Sequence, residues 1–474
     1  MSKKKDRRPL NTLECTNCGN LSESDRPIYL CPKCGGLLQY KVIDPANIDM
    51  LRFCGEFTFW RYRSFLPSVV FTATMQEGGT PLYKAKRLST KIGLHNLYFK
   101  DETRNPTCSF RDRCAALIIS NVIDLGLASI VCATNGNMGA SLSAYSARYG
   151  ISCHLIVPKI VDIGKMAQMI VYDADIEECG ETVDDAILKA EKMAVENSWY
   201  QATPELNPLV IEAQKTIAFE IFEQVGVPDW IVISMGSGGT LYSIWKGFLE
   251  LLEIGLIDNL PRILGVQSDG CSPIVDAYYR IDRERRKPRT HAIAIFVRKP
   301  IFKDLAIKAI RESQGSAITV KDEEIFSAEQ EIARLEGLFA EPASSGTVAA
   351  IKKIVHASLI ERDEKVVCVI GGSGLKATDV LQALSRRRKT ALVGADLSTK
   401  EKILRILEKG DAYGYQIWKE LGRTLTRSAV YQHLDDLSKR GLTHVSISEG
   451  RKYFGITEKG KRILKAIEDV KAIL

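Results

Sequence analysis

The sequence predicts an α/β protein with two doubly wound parallel-sheet lobes, preceded by a metal-binding ribbon and followed by a winged helix. Short β-branched runs alternate with amphipathic segments through most of the chain, the pattern of parallel strands joined by crossover helices. Two Cys-x-x-Cys pairs precede this region, and three helical segments with a hairpin follow it. The 474 residues therefore divide into a basic tail (1–12), a zinc ribbon (13–42), the α/β body (43–384), a basic linker (385–397) and a winged helix-turn-helix domain (398–474).

The composition is ordinary for a globular protein, but the positive charge lies at the two ends of the chain. Hydrophobic residues make up 45% and charged residues 26%. The net charge of +7 combines +4 from residues 1–8 (five basic, one acidic), +9 from residues 385–474 (20 basic, 11 acidic) and −6 from the residues between them. Basic ends are typical of nucleic-acid binding, although a solvated tail gives the same pattern. Neither a membrane-spanning stretch nor a signal peptide is evident, so we expect a cytoplasmic protein.

Four cysteines near the start of the chain have the spacing of a zinc site. They are Cys15, Cys18, Cys31 and Cys34, two pairs separated by twelve residues. Four thiolates at this spacing can surround Zn²⁺ as a tetrahedron. Two disulfides are the alternative, which a reducing cytosol disfavours. The sequence therefore predicts bound zinc.

Three strand–turn–helix units of the body contain glycine-rich turns, at residues 134–139, 236–240 and 371–374. We expect helices after them at about 140–148, through Phe248, and at about 379–384. Backbone amides at the start of a helix attract anions. The second turn is the best candidate for a phosphate cradle and consists of Gly236, Ser237, Gly238, Gly239 and Thr240. A tight connection that happens to use glycine is the alternative for each turn.

A further run of residues carries a family resemblance. Residues 105–114 read Asn-Pro-Thr-Cys-Ser-Phe-Arg-Asp-Arg-Cys, and residues 78–82 read Gly-Gly-Thr-Pro-Leu. With the order of the glycine turns and the string Glu-Pro-Ala-Ser at 341–344, they resemble the threonine synthases, which are tryptophan-synthase-β-like, fold type II pyridoxal-phosphate enzymes. Many members also begin with a ribbon. The resemblance implies the two-lobed fold.

The same resemblance implies a cofactor site with altered chemistry. The family's run contains the lysine that forms the Schiff base with the cofactor, and Arg111 stands at that position. A guanidinium stays charged and cannot attack an aldehyde. Asn137 matches the residue that bonds the cofactor's phenolic oxygen, and residues 236–240 match its phosphate loop. Gly371 stands where a serine or threonine holds the pyridine nitrogen, with Ser373 as a partial substitute two places on.

We therefore predict no catalytic residue but a pocket that still binds an anion. Arg111 can form a bidentate pair with phosphate or carboxylate. The expected ligand is pyridoxal phosphate held noncovalently, or another phosphorylated or anionic metabolite such as phosphohomoserine or an amino acid. A pocket that binds nothing is the alternative. Cys108 and Cys114 replace two glycines of the family's run and could sense oxidation, although buried cysteines are also common fillers.

The last segment has the pattern of a winged helix-turn-helix domain. The string Ser-Thr-Lys-Glu at 398–401 reads as a capping box that opens the first helix. We expect the third helix at about 427–439, a hairpin joining 444–447 to 452–456, and a last helix at 457–473. The strings Tyr-Gly-Tyr-Gln-Ile at 413–417, Ala-Val-Tyr-Gln-His-Leu at 429–434 and Gly-Arg-Lys-Tyr-Phe-Gly-Ile-Thr at 450–457 resemble PadR-type regulators.

The PadR resemblance implies that this domain binds DNA. In such domains the third helix enters the major groove and the wing contacts the neighbouring backbone. The predicted nucleic-acid-binding residues are Arg427, Ser428, Tyr431 and Gln432, which face outward from the third helix with Asp435, and Arg451 and Lys452 at the wing tip. A winged helix kept only for dimerisation is the alternative.

Three functions are compatible with these patterns. The leading one is a transcriptional regulator, a homodimer in which a catalytically inactive, ligand-sensing body holds two winged helices. The second is a pyridoxal-phosphate-dependent threonine synthase or related lyase with an accessory domain. The third is a protein that binds structured RNA or the ribosome. DNA is favoured over RNA because duplex RNA hides its major groove. The basic loop at 283–289 fits either nucleic acid.

Overall fold

The structure is a computed structural model, and it forms two compact units, Met1–Val380 and Leu381–Leu474. The predicted tail up to residue 11, the linker residues 385–392 and the helix expected at 379–384 lie outside the described residues, as does most of the basic loop at 283–289. The described residues are 12–23, 26–41, 52–282, 288–377, 393–422, 425–448 and 451–473.

The first unit contains a ribbon and two parallel sheets. The ribbon is an antiparallel sheet of order β2-β1-β3. The larger sheet has the order β12-β11-β10-β13-β5-β4, in which β4 alone is antiparallel, and the smaller has the parallel order β8-β7-β6-β9. The strands are β1 Leu13–Cys15, β2 Leu21–Ser22, β3 Leu38–Tyr40, β4 Leu82–Lys84, β5 Asn96–Asp101, β6 Ser129–Ala133, β7 Ser152–Val157, β8 Asp175–Glu178, β9 Tyr200–Gln201, β10 Trp230–Ser234, β11 Arg262–Ser268, β12 Ser316–Val320 and β13 Lys365–Ile370.

Crossover helices cover both sheets, so the predicted fold of two doubly wound lobes is confirmed. The central strands are apolar on both faces, as parallel strands packed between helices must be; β10, for example, reads Trp-Ile-Val-Ile-Ser. The helices are α1 Lys86–Ile92, α2 Arg111–Asp124, α3 Asn137–Tyr149, α4 Ile163–Val171, α5 Val183–Asn197, α6 Leu209–Val225, α7 Gly239–Glu253, α8 Pro273–Tyr279, α9 Lys303–Glu312, α10 Asp322–Glu336 and α11 Pro342–His356.

The core of the smaller lobe is built around the helix that follows the run at 105–110. In α2, residues 114–119 are fully buried and pack against α3 and the start of α6. The larger lobe has separate apolar clusters on the two faces of its sheet. This packing therefore fixes the start of α2, and its first residue, Arg111, faces the space at the carboxyl ends of the strands.

The second unit is a winged helix, as predicted. Helices α12 Val393–Glu408, α13 Gly414–Glu420, α14 Arg427–Lys439 and α15 Glu458–Ile473 surround a sheet of β14 Ala412–Tyr413, β15 Thr443–Ser448 and β16 Arg451–Ile456. The order is β14-β16-β15, and β15 pairs antiparallel with β16 in the register Val445 opposite Phe454. Its core joins Ile417, Val430, Leu434 and Phe454.

One predicted boundary in this unit is wrong. Helix α12 begins at Val393, so Ser398 lies inside the helix and does not open it. Residues 395 and 397 are alanine and leucine, which are strong helix formers and extend the helix backward past the capping string. The third helix runs from Arg427 to Lys439, the bounds that its apolar spacing predicted. Within the described residues, no helix is both long enough and apolar enough to cross a membrane.

Candidate functional site

A cavity lies at the carboxyl ends of the parallel strands, between the two lobes of the body. Its walls come from the turns that follow β6, β10 and β13 and from the start of α2. The centres of water-sized molecules can occupy a volume of about 90 Å³ in this cavity. A single buried water needs about 10–15 Å³ by this measure, so the cavity has room for a small metabolite. Open α/β sheets bind ligands at this position.

The turn after β10 is the predicted anion cradle. It occupies residues 236–240, all of which line the cavity, and its amides lead into α7 at Gly239. Gly238 has a φ of 94°, and a Cβ built there would lie 2.9 Å from the Cβ of Ala306. Only glycine fits such a conformation and such a close approach. The structure therefore places the predicted phosphate cradle on the cavity wall at the start of a helix, where backbone amides attract anions.

Arg111 lies on the cavity wall as the first residue of α2 and is half-buried. Its guanidinium carbon is 4.7 Å from the centre of the Phe110 ring. No described carboxylate forms an ion pair with it. Burial raises the pKa of Glu205, a second lining residue, and the nearby Arg111 charge partly offsets this shift. The wall thus presents a guanidinium and a carboxyl group that do not pair with each other.

Asn137, the first residue of α3, is fixed by a carboxylate from the other lobe. Its Nδ2 lies 3.2 and 3.1 Å from the two oxygens of Glu341. Glu341 also pairs with Lys165 at 3.1 Å, and Lys165 pairs with Asp162 at 2.6 Å. Burial would lower the pKa of Lys165, but the two carboxylates outweigh it and raise that pKa. The Oδ1 of Asn137 is buried and has no hydrogen-bond partner among the described residues.

The lysines near the cavity lie behind its wall. None of the described residues that line the cavity is a lysine. Lys376 donates to the carbonyl oxygen of Thr107 at 2.6 Å, and burial lowers its pKa to about 8. Lys165 is held by its two carboxylates, and Lys100 is buried against Glu220 at 2.5 Å. No described amine therefore takes the place of Arg111 on the cavity wall.

The remaining predicted contacts fall partly in the cavity. Gly371 lines it, and a Cβ built there would lie 3.0 Å from the Phe110 ring. Ser373 does not line it, and its hydroxyl accepts a hydrogen bond from the amide of Leu375 at 3.3 Å. Ser344 lines the cavity and accepts from the amide of Gly372 at 3.2 Å. Sequence reasoning missed Ser344 and Glu205 as lining residues, although Ser344 belongs to the Glu-Pro-Ala-Ser string.

The two cysteines that flank Arg111 differ in their surroundings. Cys108 has a φ of 62°, a left-handed conformation that favours glycine. Cys114 is fully buried, and burial raises its pKa to about 11. Burial therefore disfavours the thiolate that an oxidation sensor needs at Cys114.

A buried ion network holds this run in place. Arg113 pairs with Glu102 at 2.7 Å and with Glu220 at 2.5 Å, and all three side chains are fully buried. Lys100 also pairs with Glu220, and Asn105 donates to Glu102 at 2.9 Å. The network fixes the chain on both sides of Arg111, which sets the direction in which α2 begins.

The four ribbon cysteines come together as predicted. Their sulfur atoms all lie within 4.8 Å of one another. Cys15 is 3.5 Å from Cys34, and Cys18 is 3.8 Å from Cys31 and 3.4 Å from Cys34. Tetrahedral Zn–S bonds of about 2.3 Å place sulfurs about 3.8 Å apart, so the four residues fit a zinc ion. All twelve cysteines are free, and the disulfide alternative is not seen.

The ribbon is fastened to both lobes of the body. The Tyr29 hydroxyl accepts from the amide of Gln201, on β9 of the smaller sheet, at 3.0 Å. On α7, the Tyr242 hydroxyl donates to Gln39 at 2.6 Å and Lys246 donates to a ribbon carbonyl, that of Tyr40, at 2.7 Å. The helix that begins at the anion cradle is therefore also the helix on which the ribbon rests.

In the winged helix, the predicted contact residues of α14 all face solvent. They are Arg427, Ser428, Tyr431 and Gln432, together with Asp435. The Arg427 guanidinium lies 4.9 Å from the Tyr415 ring centre and 4.8 Å from that of Trp418. Lys452 is exposed on the wing, and the side chain of Arg451 lies outside the described residues. The exposed face of the helix therefore combines Arg427 with polar and aromatic side chains, residue types that contact phosphates and base edges.

A protein-family comparison matches residues 73–372 to the model described as pyridoxal-phosphate dependent enzyme. The chain belongs to this family. Residues 403–466 match the transcriptional regulator PadR-like family. The first match covers the whole cavity and the second covers α14 and the wing.

Threonine synthases are among the family members most similar to the chain. That of Methanocaldococcus jannaschii is 38% identical over 406 residues, which cover 83% of this chain and 99% of that protein. That of Methanosarcina acetivorans is 40% identical over 373 residues, covering 77% and 92%. Among solved structures, processed threonine deaminase isoform 2 from Solanum lycopersicum (TM-score 0.55, 20% identity, 65% and 82% covered) and maize serine racemase (0.55, 19%, 65% and 92%) share the fold.

The family's cofactor fits this cavity only in part. The amides of residues 236–240 suit its phosphate. Covalent attachment to an aldehyde needs an amine on the wall, and the described lining residues include none. The Nδ2 of Asn137 is already committed to Glu341, and Gly371 offers no side chain to a ring nitrogen. The residues therefore fit an anionic group and do not fit the covalently held ring.

Proposed function

We propose that the protein is a DNA-binding transcriptional regulator, a homodimer, whose body is a pseudoenzyme that binds an anionic ligand without covalent chemistry. The observation that supports this most directly is Arg111. It lies on the cavity wall at the position that resembles the family's cofactor lysine, and it presents a permanent charge in place of an amine. The cradle at 236–240 remains, so anion binding is retained without the nucleophile.

The PadR-like domain supports the DNA-binding half of the proposal. Its third helix exposes Arg427, Ser428, Tyr431 and Gln432, which can reach base edges and phosphates. A homodimer belongs to the proposal because helix-turn-helix regulators read two half-sites. Ligand binding between the lobes would then bias the protein between two states with different DNA affinity. Zinc on the four ribbon cysteines has a structural role in this proposal.

Threonine synthase, or a related lyase, is the second candidate. The 38% identity across 99% of the Methanocaldococcus jannaschii enzyme favours it. This candidate predicts a visible cofactor absorbance that survives dialysis and an adduct that borohydride reduces. The proposal of a noncatalytic body predicts neither, because Arg111 cannot form the imine.

Crosslinking in cells, followed by sequencing of the bound nucleic acid, tests the proposal. Enrichment of discrete DNA sites would support a regulator. Enrichment of RNA would instead support binding of structured RNA or the ribosome, and recovery of neither would refute both.

A variant pair then locates the DNA surface. Arg427→Ala should weaken binding to an enriched site at least tenfold and reduce the salt slope by about one, because one phosphate or base contact is lost. Arg440→Ala is the matched control, since Arg440 follows the far end of α14 and pairs with Asp436. Equal effects of the two substitutions would refute the assigned orientation of α14.

A further inference from the structure

Helix α14 of the winged helix has two exposed sides with different surroundings. Its buried side carries Val430, Leu434 and Leu437, which belong to the core of the domain. Successive residues of a helix turn by about 100°, so Gln432 points away from this core and Arg427 lies on a flank between the two directions. The two side chains can therefore contact different parts of a duplex.

The flank that carries Arg427 faces the preceding helix, α13. The Arg427 guanidinium carbon lies 4.9 Å from the centre of the Tyr415 ring and 4.8 Å from that of the Trp418 ring. The indole nitrogen of Trp418 donates to the carbonyl oxygen of Leu425 at 2.7 Å, which fixes the orientation of this ring. Two aromatic rings of α13 thus hold the guanidinium on the α13 side of α14.

A guanidinium held against α13 is directed to the DNA backbone. In a helix-turn-helix the second helix, here α14, enters the major groove, and the first helix, here α13, crosses the backbone. Stacking on aromatic rings leaves the N–H groups at the edge of the guanidinium plane, where they can donate in pairs to a phosphate. A phosphate contact contributes affinity but carries no sequence information directly.

The side of α14 opposite the core carries Ser428, Gln432 and Asp435, which are all exposed. Asp435 pairs with Lys439 at 2.7 Å, so its carboxylate is already engaged. A serine hydroxyl can contact either kind of base pair and discriminates weakly. The Gln432 amide forms no hydrogen bond with a described residue. Its adjacent donor and acceptor match the N6 and N7 edge of adenine in the major groove.

We propose that the two exposed sides of α14 have separate tasks. Gln432 specifies an A·T pair in the major groove, and Arg427, held on its two aromatic rings, binds a phosphate irrespective of sequence. This inference rests on the proposed DNA-binding function. It assigns the residue that determines the recognised sequence, which that proposal leaves open.

Selection from a random-sequence duplex library by the full zinc-loaded chain tests the inference, because sequencing of the bound fraction gives the base preference at every position. We expect Gln432→Ala to reduce the preference for an A·T pair at one position of each half-site at least about fivefold, the lower end of what a bidentate base contact contributes. Arg427→Ala should weaken binding of all duplexes by a common factor and leave the base preferences unchanged. Tyr415→Leu removes the ring but keeps an apolar side chain, and it should act like Arg427→Ala to a smaller extent.

The outcomes separate the inference from the proposed function. Unchanged base preferences in Gln432→Ala, or a lost preference for a G·C pair, overturn the inference while selection by the unaltered chain still supports DNA binding. A preference relaxed at a single position in Arg427→Ala also overturns the inference. Both side chains are exposed on α14, so the alanine variants should keep the fold. If the unaltered chain selects no duplex, the proposed function fails and the inference fails with it.

Discussion

The buried ion network behind Arg111 makes a prediction about stability. Glu220 accepts hydrogen bonds from Arg113 at 2.5 and 2.9 Å, from Lys100 at 2.5 Å and from the amide of Gly79 at 2.8 Å. With Glu102 it balances two fully buried cations. Glu220→Gln keeps the shape but leaves one buried positive charge uncompensated. We expect it to lower the free energy of unfolding by about 3–5 kcal/mol, the usual result of breaking a buried pair from one side.

Urea unfolding followed by tryptophan fluorescence at pH 7 measures this loss. The matched control is Glu223→Gln, since Glu223 pairs with Arg61 in a partly exposed site and should cost about 1 kcal/mol or less. A loss at Glu220 no larger than the control's would refute the reasoning. Burial alone would raise the pKa of Glu220, but Arg113 and Lys100 outweigh it and lower that pKa. The stabilisation is therefore present above the unfolded pKa of about 4.3, and the difference between the proteins should shrink as pH falls below it.

Three further predictions concern single residues. Cys108→Gly should raise the free energy of unfolding by about 1 kcal/mol in the same assay, because relief of the left-handed φ of 62° outweighs the greater entropy of the unfolded chain. A lower free energy of unfolding would contradict that conformation. Burial lowers the pKa of Lys376 from 10.5 to about 8, so between these values the unfolded state binds more protons and this residue's contribution to stability rises with pH. Relative to the unaltered protein, Lys376→Met should therefore have a free energy of unfolding that is more favourable at pH 7 than at pH 10 by roughly 3 kcal/mol. A difference that does not change with pH would refute the lowered pKa of Lys376. Native mass spectrometry should find one zinc per chain, lost in Cys18→Ser and kept in Cys54→Ser, which removes an exposed cysteine outside the ribbon; retention of zinc in Cys18→Ser would contradict a four-cysteine site.

The sequence was sufficient for the fold because its strongest patterns are local. Alternating strands and helices, glycine turns and paired cysteines each constrain a short segment, and topology rules then leave few arrangements. Arg111, Asn137, Gly371 and the turn at 236–240 meet because parallel strands bring their carboxyl ends to one edge. Helix starts were less predictable, since α12 continues backward through helix-forming residues before Ser398.

Side-chain partners across the lobes could not be predicted. Asn137 and Glu341 are 204 positions apart, and no spacing rule connects them. Glu205 could not be predicted as a lining residue either, because it belongs to no motif and reaches the cavity through the packing of its loop. Ser373 lies only two residues beyond Gly371, yet the local turn directs its hydroxyl to the backbone. The left-handed conformation of Cys108 could not be predicted either, because a cysteine side chain disfavours this conformation.

The docking of the ribbon bears on how the protein can be shortened for experiments. Residues 12–41 resemble a separable module, but removing them would strip Gln201, Tyr242 and Lys246 of their hydrogen-bond partners in the ribbon. Lys246 also pairs with Glu212, a fully buried carboxylate. Removal of the ribbon would therefore expose a face with charged side chains that are buried in the whole chain. Measurements on a truncated body would therefore not describe the whole chain.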